Sequence, residues 1–125
     1  MLTLPRTVRV WAYPRPTDLR KGYNGLYGLV QNGLGRDPVS GEYYLFTNAN
    51  RTLCKVLVWD GTGLCIFMKR LERHRFARLW TRQDLEGSTV GEPLALTASE
   101  LALFIEGCTL VGRQTLSPEA VTFRS

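Results

Sequence analysis

A chain of 125 residues with 44% apolar content is about one domain's worth and supplies a single hydrophobic core, which excludes a disordered tail and removes any need for disulfides or metal. Its formal charge of +5 is unevenly placed: residues 1–82 carry 14 Lys/Arg against 5 Asp/Glu, and residues 83–125 carry 2 against 6. The basic body predicts a polyanionic partner such as nucleic acid, and the acidic third a different contact.

In chain order, Val8 and Val10 alternate with Arg9 and Trp11, the period of a strand, until Pro14 and Pro16 stop it. A helix is then expected over residues 17–32, capped by Thr17 with Asp18 in its positive first turn. Leu19, Tyr23, Leu26, Tyr27 and Val30 share one face of it. Gly22, Gly25 and Gly28, spaced by three, weaken it by roughly 1 kcal/mol each and suggest close packing on the domain's own sheet. A turn-rich stretch through Asp37-Pro38 and Ser40-Gly41 leads to strands at 43–47, 53–59 and 64–70.

Asp60-Gly61 between the last two strands is a strong hairpin signal. A two-residue turn there pairs Trp59 with Leu64, Leu57 with Ile66 and Lys55 with Met68 on one face, and Val58 with Cys65 and Val56 with Phe67 on the other. Both faces are largely apolar, so the hairpin is expected at the centre of a sheet that is covered on both sides or binds with one. Phe76, Arg78 and Trp80 alternate with Ala77, Leu79 and Thr81, which predicts a further strand or a short helix. After a polar stretch, Thr97-Ala98-Ser99-Glu100 is a capping box opening a helix over 98–106 that Gly107 stops. A single domain over 1–125 is expected, with its core at about 7–111 and a loosely ordered tail over 112–125.

No apolar run approaches the roughly 20 residues of a membrane span, and the N-terminus lacks a signal-peptide core, so no membrane contact and a cytoplasmic location are expected. Three cysteines and one histidine, His74, with no C-x-x-C, imply no disulfide framework, no zinc and no cofactor. Cys54, Cys65 and Cys108 lie in apolar stretches and are expected as buried thiols. No phosphate-binding, metalloprotease or hydrolase motif is present. Asp18, Asp37, Asp60 and Asp84 each have a plainer role at a helix start, turn or loop than as metal-holding carboxylates, so no enzyme is expected.

Lys69, Arg70, Arg73, Arg75, Arg78 and Arg82 fall within 14 positions, with Phe76 and Trp80 between them. Phosphates are neutralised by such a cluster, arginine forks suit them, and aromatic rings beside it stack on bases. Lys55 on the facing strand and Arg20 and Lys21 at the helix start extend it, and Trp59 offers a further stacking or interface contact. The competing reading is a charged strand edge that discourages aggregation.

Three segments carry a resemblance: Thr17-Asp18-Leu19-Arg20-Lys21-Gly22-Tyr23-Asn24-Gly25-Leu26, then Asp37-Pro38-Val39-Ser40-Gly41, then Lys55-Val56-Leu57-Val58-Trp59-Asp60-Gly61-Thr62-Gly63-Leu64, running on to Lys69-Arg70-Leu71-Glu72 and Arg75-Phe76. With the T-x-x-E-L-A-L-F-I-E-G segment, they resemble in order the small accessory protein, often labelled TnpB, of the sixty-six family of bacterial insertion sequences. The family's signature falls on Asp18, Arg20, Lys21, Gly22, Gly25, Lys55, Trp59, Asp60, Gly61, Gly63, Lys69, Arg70, Arg75 and Phe76. Its usual aromatic-proline after Arg-Phe is replaced here by Ala77-Arg78-Leu79-Trp80. The resemblance implies a protein encoded beside a separate transposase and needed for efficient movement of the element.

These readings combine into an α+β domain, an antiparallel sheet of about five strands with two helices. The expected function is a non-catalytic DNA-binding subunit of a transposition complex, with DNA and the transposase as partners. The alternative is an adaptor that binds the transposase or self-associates through the second hairpin face and the acidic segment with Glu92, Glu100 and Glu106.

Overall fold

The computed structural model describes residues 7–107; the tail expected over 112–125 and Cys108 lie outside them. Five strands form one sheet: β1 (Val10–Ala12), β2 (Tyr43–Thr47), β3 (Leu53–Trp59), β4 (Leu64–Arg70) and β5 (Leu94–Leu96), in the order β4-β3-β2-β1-β5. All neighbours are antiparallel except β1 and β2, which run parallel with Val10 opposite Tyr43. A parallel pair needs a crossover, and the segment between them supplies it with helix α1 (Tyr23–Gly28) continuing into a π-helical turn, Leu29–Gly33.

That helix starts six residues later than the sequence suggested. Thr17 does not cap it: its N–H donates to the Thr47 carbonyl at 2.9 Å and its hydroxyl to the Arg15 carbonyl at 3.3 Å, tying residues 15–17 to the end of β2. Asp18 caps a local turn, accepting from the Arg20 N–H at 3.0 Å, and Gly22 stands at the helix N-cap. Glycine at 25 is required, because a Cβ there would lie 2.8 Å from the Lys21 Cβ. Gly22 and Gly28 face open space, so the expected close packing of all three glycines on the sheet is not found.

The β3–β4 hairpin has the register read from the turn, with Trp59 opposite Leu64, Leu57 opposite Ile66 and Lys55 opposite Met68. Asp60 Oδ1 accepts from the N–H groups of Thr62 and Gly63 at 2.9 and 3.0 Å, and Gly61 takes the φ of 104° that the turn demands. The hairpin is not central, however: β3 is interior and β4 is an outer edge. Cys54 is buried as expected, whereas Cys65, also expected to be buried, is exposed on this edge strand.

Two cores sandwich the sheet. Leu26 and Val30 pack with Tyr44, Phe46 and Leu57 on one face. On the other, Val10, Ala12, Leu45 and Val56 meet Leu101, Phe104 and Ile105 of helix α3 (Ala98–Ile105). Thr97 and Glu100 form the expected capping box, with Thr97 N–H to Glu100 Oε1 at 2.8 Å and the return bond at 3.1 Å; Gly107, at φ 89°, follows. The strand or helix expected at 76–81 is neither. Phe76, Ala77, Leu79 and Trp80 are all buried against the α3-side core, which alternation on a strand would not allow. A short helix α2 (Arg82–Glu86) follows, opened by a second capping box between Thr81 and Asp84.

Candidate nucleic-acid interface

Because β1, β2 and β4 run in one direction and β3 in the other, one end of the sheet gathers the start of the crossover, the β2–β3 turn and the segment after β4. Backbone bonds fix this end. Thr17 N–H donates to Thr47, Leu71 N–H to the Thr52 carbonyl at 2.9 Å, and Phe76 N–H to the Arg51 carbonyl at 2.7 Å. Arg51 and His74 both take positive φ, 60° and 63°, and the Arg51 guanidinium reaches the Phe76 carbonyl at 3.2 Å, so the loop of residues 71–75 is held from below. An open cleft of about 490 Å³ lies between residues 16–20 and Asn48, Ala49 and Asn50.

This end collects most of the basic residues expected to act together, but not all. Arg70 ends β4, and Arg73 and Arg75 stand exposed on the loop beyond it. Lys21 is exposed at the start of the crossover, and its carbonyl accepts from Lys55 Nζ at 2.9 Å, which brings β3 and the crossover together. Arg20 is paired at the surface: its guanidinium forks onto Asp18, 2.7 Å at the closest. The Arg20 side-chain bonds, then its backbone N–H, hold the Asp18 carboxyl well below the usual carboxylate range.

Lys69, one residue from Arg70, points to the opposite face of the sheet, where Nζ lies 3.9 Å from Glu106. Arg78 sits half-buried within the inward-facing 76–80 segment. Arg15 is engaged too, donating to the carbonyls of Asp84 at 3.1 Å, Gly87 and Thr89. Lys21, Lys55, Arg70, Arg73 and Arg75 therefore lie towards this end of the sheet alongside the engaged Arg20 and Arg51, with Glu72 in the same loop and Asp18 in the crossover.

The stacking role expected of Phe76 and Trp80 does not fit their positions. Phe76 is 0% exposed and stacks on Phe104 with ring centroids 4.9 Å apart, and Trp80 is 5% exposed. Trp59 is half-buried at the far end of β3, beside the hairpin turn. The surface aromatic near the basic end is Tyr23, 51% exposed at the first position of α1. Sequence periodicity placed Tyr23 on the buried helix face, and nothing local marks that its ring is left exposed at the first position of the helix.

The four aspartates weighed as metal ligands are each engaged nearby: Asp18 by Arg20, Asp37 by the Val39 N–H at 3.0 Å, Asp60 by its turn, and Asp84 by the Thr81 N–H at 2.7 Å. Among the described residues no group of three or more His, Cys, Asp or Glu could hold a metal ion, and no helix is long and apolar enough to cross a membrane. Of the acidic residues expected to form a partner surface, Glu92 is exposed, Glu100 is used in its capping box and Glu106 faces Lys69.

No solved structure matches the chain significantly. Two curated relatives do, both from Sinorhizobium fredii (strain NBRC 101917 / NGR234). The uncharacterized protein y4hO is 35% identical over 107 residues, covering 86% of each chain. The uncharacterized protein y4jC is 33% identical over 76 residues, 61% of this chain and 65% of the relative. The model of the family described as IS66 Orf2 like protein matches residues 8–115. This chain therefore belongs to the IS66 Orf2-like family, the accessory proteins of that family of insertion sequences.

Proposed function

We propose that this insertion-sequence accessory protein is a non-catalytic DNA-binding subunit that works beside the element's transposase in the cytoplasm. One observation carries the reading: Arg70, Arg73, Arg75, Lys21 and Lys55 lie towards one end of the sheet, two of them on a loop pinned by Arg51 and Arg70 at its start, with few acids among them. Arginines on a fixed loop suit forked contacts to successive phosphates, and such contacts need no cofactor. Tyr23 at the rim of the same end gives a ring for an exposed base or sugar. The engagement of each aspartate in a local cap or turn supports a role without chemistry of its own.

The test is charge reversal at two exposed positions that no described residue ion-pairs. Arg70→Glu with Arg75→Glu should abolish binding to a labelled duplex carrying an element end while leaving capture of the transposase intact. Loss of transposase capture with DNA binding unchanged would instead make the chain a protein adaptor.

A further inference from the structure

The free edge of β4 carries an inference independent of DNA binding. Asp60 N–H donates to the Gly63 carbonyl and Leu71 N–H to the Thr52 carbonyl, so the odd-numbered residues of β4 face their backbone groups inward to β3. The even-numbered residues Leu64, Ile66, Met68 and Arg70 therefore point N–H and C=O outward, and none of these groups bonds another described residue. Seven residues of regular, unpaired edge is long for a five-stranded sheet, and the other edge, β5, has three.

We propose that this edge is a self-association surface, where β4 of a second copy adds antiparallel about a twofold axis at Phe67 and joins the two sheets into one. The spacing of the outward groups is symmetric about that residue. Leu64 then pairs with Arg70 of the second copy and Ile66 with Met68, and each of the four pairs exchanges two hydrogen bonds, eight in all.

Side chains match in the same register. Met68, 57% exposed, is covered by the other copy's Ile66. Phe67, half-buried against the α3-side core, meets its own symmetry mate at a non-hydrogen-bonded position, where the backbones are closest and aromatic pairs are favoured. Charge selects the direction. Exposed Asp60 lies at one end of β4, and Arg70, Arg73 and Arg75 lie at the other. Antiparallel addition sets each acidic turn beside the other copy's basic loop, whereas parallel addition would set the basic loops together. The twofold also uses up both long edges, so the assembly closes at two copies.

The mass of the full chain is measured by light scattering after gel filtration across a concentration range, beside two variants. Met68→Pro removes an N–H that the monomer's ladder does not use, and Met68→Lys sets a charge against Ile66 without touching the backbone. Dimers are expected for the unaltered chain at tens of micromolar, and at least about a hundredfold weaker association for either variant that keeps its thermal unfolding transition. Lys69→Cys, made together with Cys54→Ala because Cys54 faces position 69 within the same chain, brings the new thiol opposite Cys65 of the second copy at the Cα separation a disulfide accepts, so a glutathione redox buffer should give a covalent dimer linked 65 to 69. A monomer at every concentration, a dimer indifferent to Met68→Lys, or a disulfide mapped to any other pair overturns the proposal.

Discussion

Phe76 separates the two roles the sequence offered for it, and replacing it with alanine gives opposite outcomes under each. The ring is fully buried and stacks on Phe104 at 4.9 Å. A buried phenyl ring removes about 200 Å² from water, which at about 25 cal/mol per Å² gives roughly 4–5 kcal/mol. Alanine keeps part of that, but the ring pair is lost and a cavity is left, so the cost should be about 4 kcal/mol. For a domain of this size that is a fall in Tm of roughly 15 °C, a large share of an ordinary stability. Urea unfolding followed by tryptophan fluorescence measures it. Phe76→Leu, which keeps most of the volume, should cost only about 1–2 kcal/mol, and both variants, where folded, should bind DNA as the unaltered chain does. A loss below about 1 kcal/mol for Phe76→Ala, or a folded variant whose DNA affinity falls tenfold, would refute the assignment of this ring to the core.

Three further outcomes follow from the local chemistry. Thr97→Ala removes the acceptor for the Glu100 N–H and should cost about 1 kcal/mol in the same unfolding assay. Burial pushes the Cys54 thiol up to about 12. Its thiolate is therefore far scarcer than that of an ordinary cysteine, and with the side chain also shielded from solvent, peptide mapping after brief alkylation at pH 8 should find exposed Cys65 labelled well before Cys54. The Asp18 carboxyl is held below its ordinary value by Arg20, so its contribution is present at neutral pH and is lost as pH falls below the usual carboxylate range. Asp18→Asn should lower the thermal midpoint at pH 7, and the difference from the unaltered chain should vanish in strong acid.

What the sequence made legible was local. The hairpin register followed from Asp60-Gly61 because a two-residue turn fixes every pair beyond it, and the Thr97 capping box located α3 because its two bonds join residues three apart. What escaped depended on partners distant in sequence. Thr17 resembles a helix cap, yet its N–H is claimed by Thr47, which delays α1 to Tyr23. Leu94–Leu96 forms a strand because β1 offers an edge, a reason absent from three apolar residues after Glu92-Pro93. The segment 76–80 alternates in sequence, but it has no strand partner and buries residues of both parities.

The candidate interface divides in the same way. Clustering in sequence drew attention to Arg70, Arg73 and Arg75 as a group, but strand alternation sends Lys69 to the face of Glu106, and the Asp18 fork engages Arg20. Tyr23 entered only because its ring, at the first position of α1, is left exposed. Five cations on one surface, rather than the eight a linear reading would count, changes the expected salt dependence by a measurable amount.

That dependence is the most direct test. Fluorescence anisotropy with a labelled duplex bearing an element end, titrated between about 50 and 200 mM salt, should give a slope of log affinity against log salt near −4.5 for five phosphate contacts, a loss of roughly 500-fold. Replacing Arg70, Arg73 and Arg75 with alanine should flatten it to about −2. No binding at the lowest salt, or a slope that the triple replacement leaves unchanged, would contradict the account.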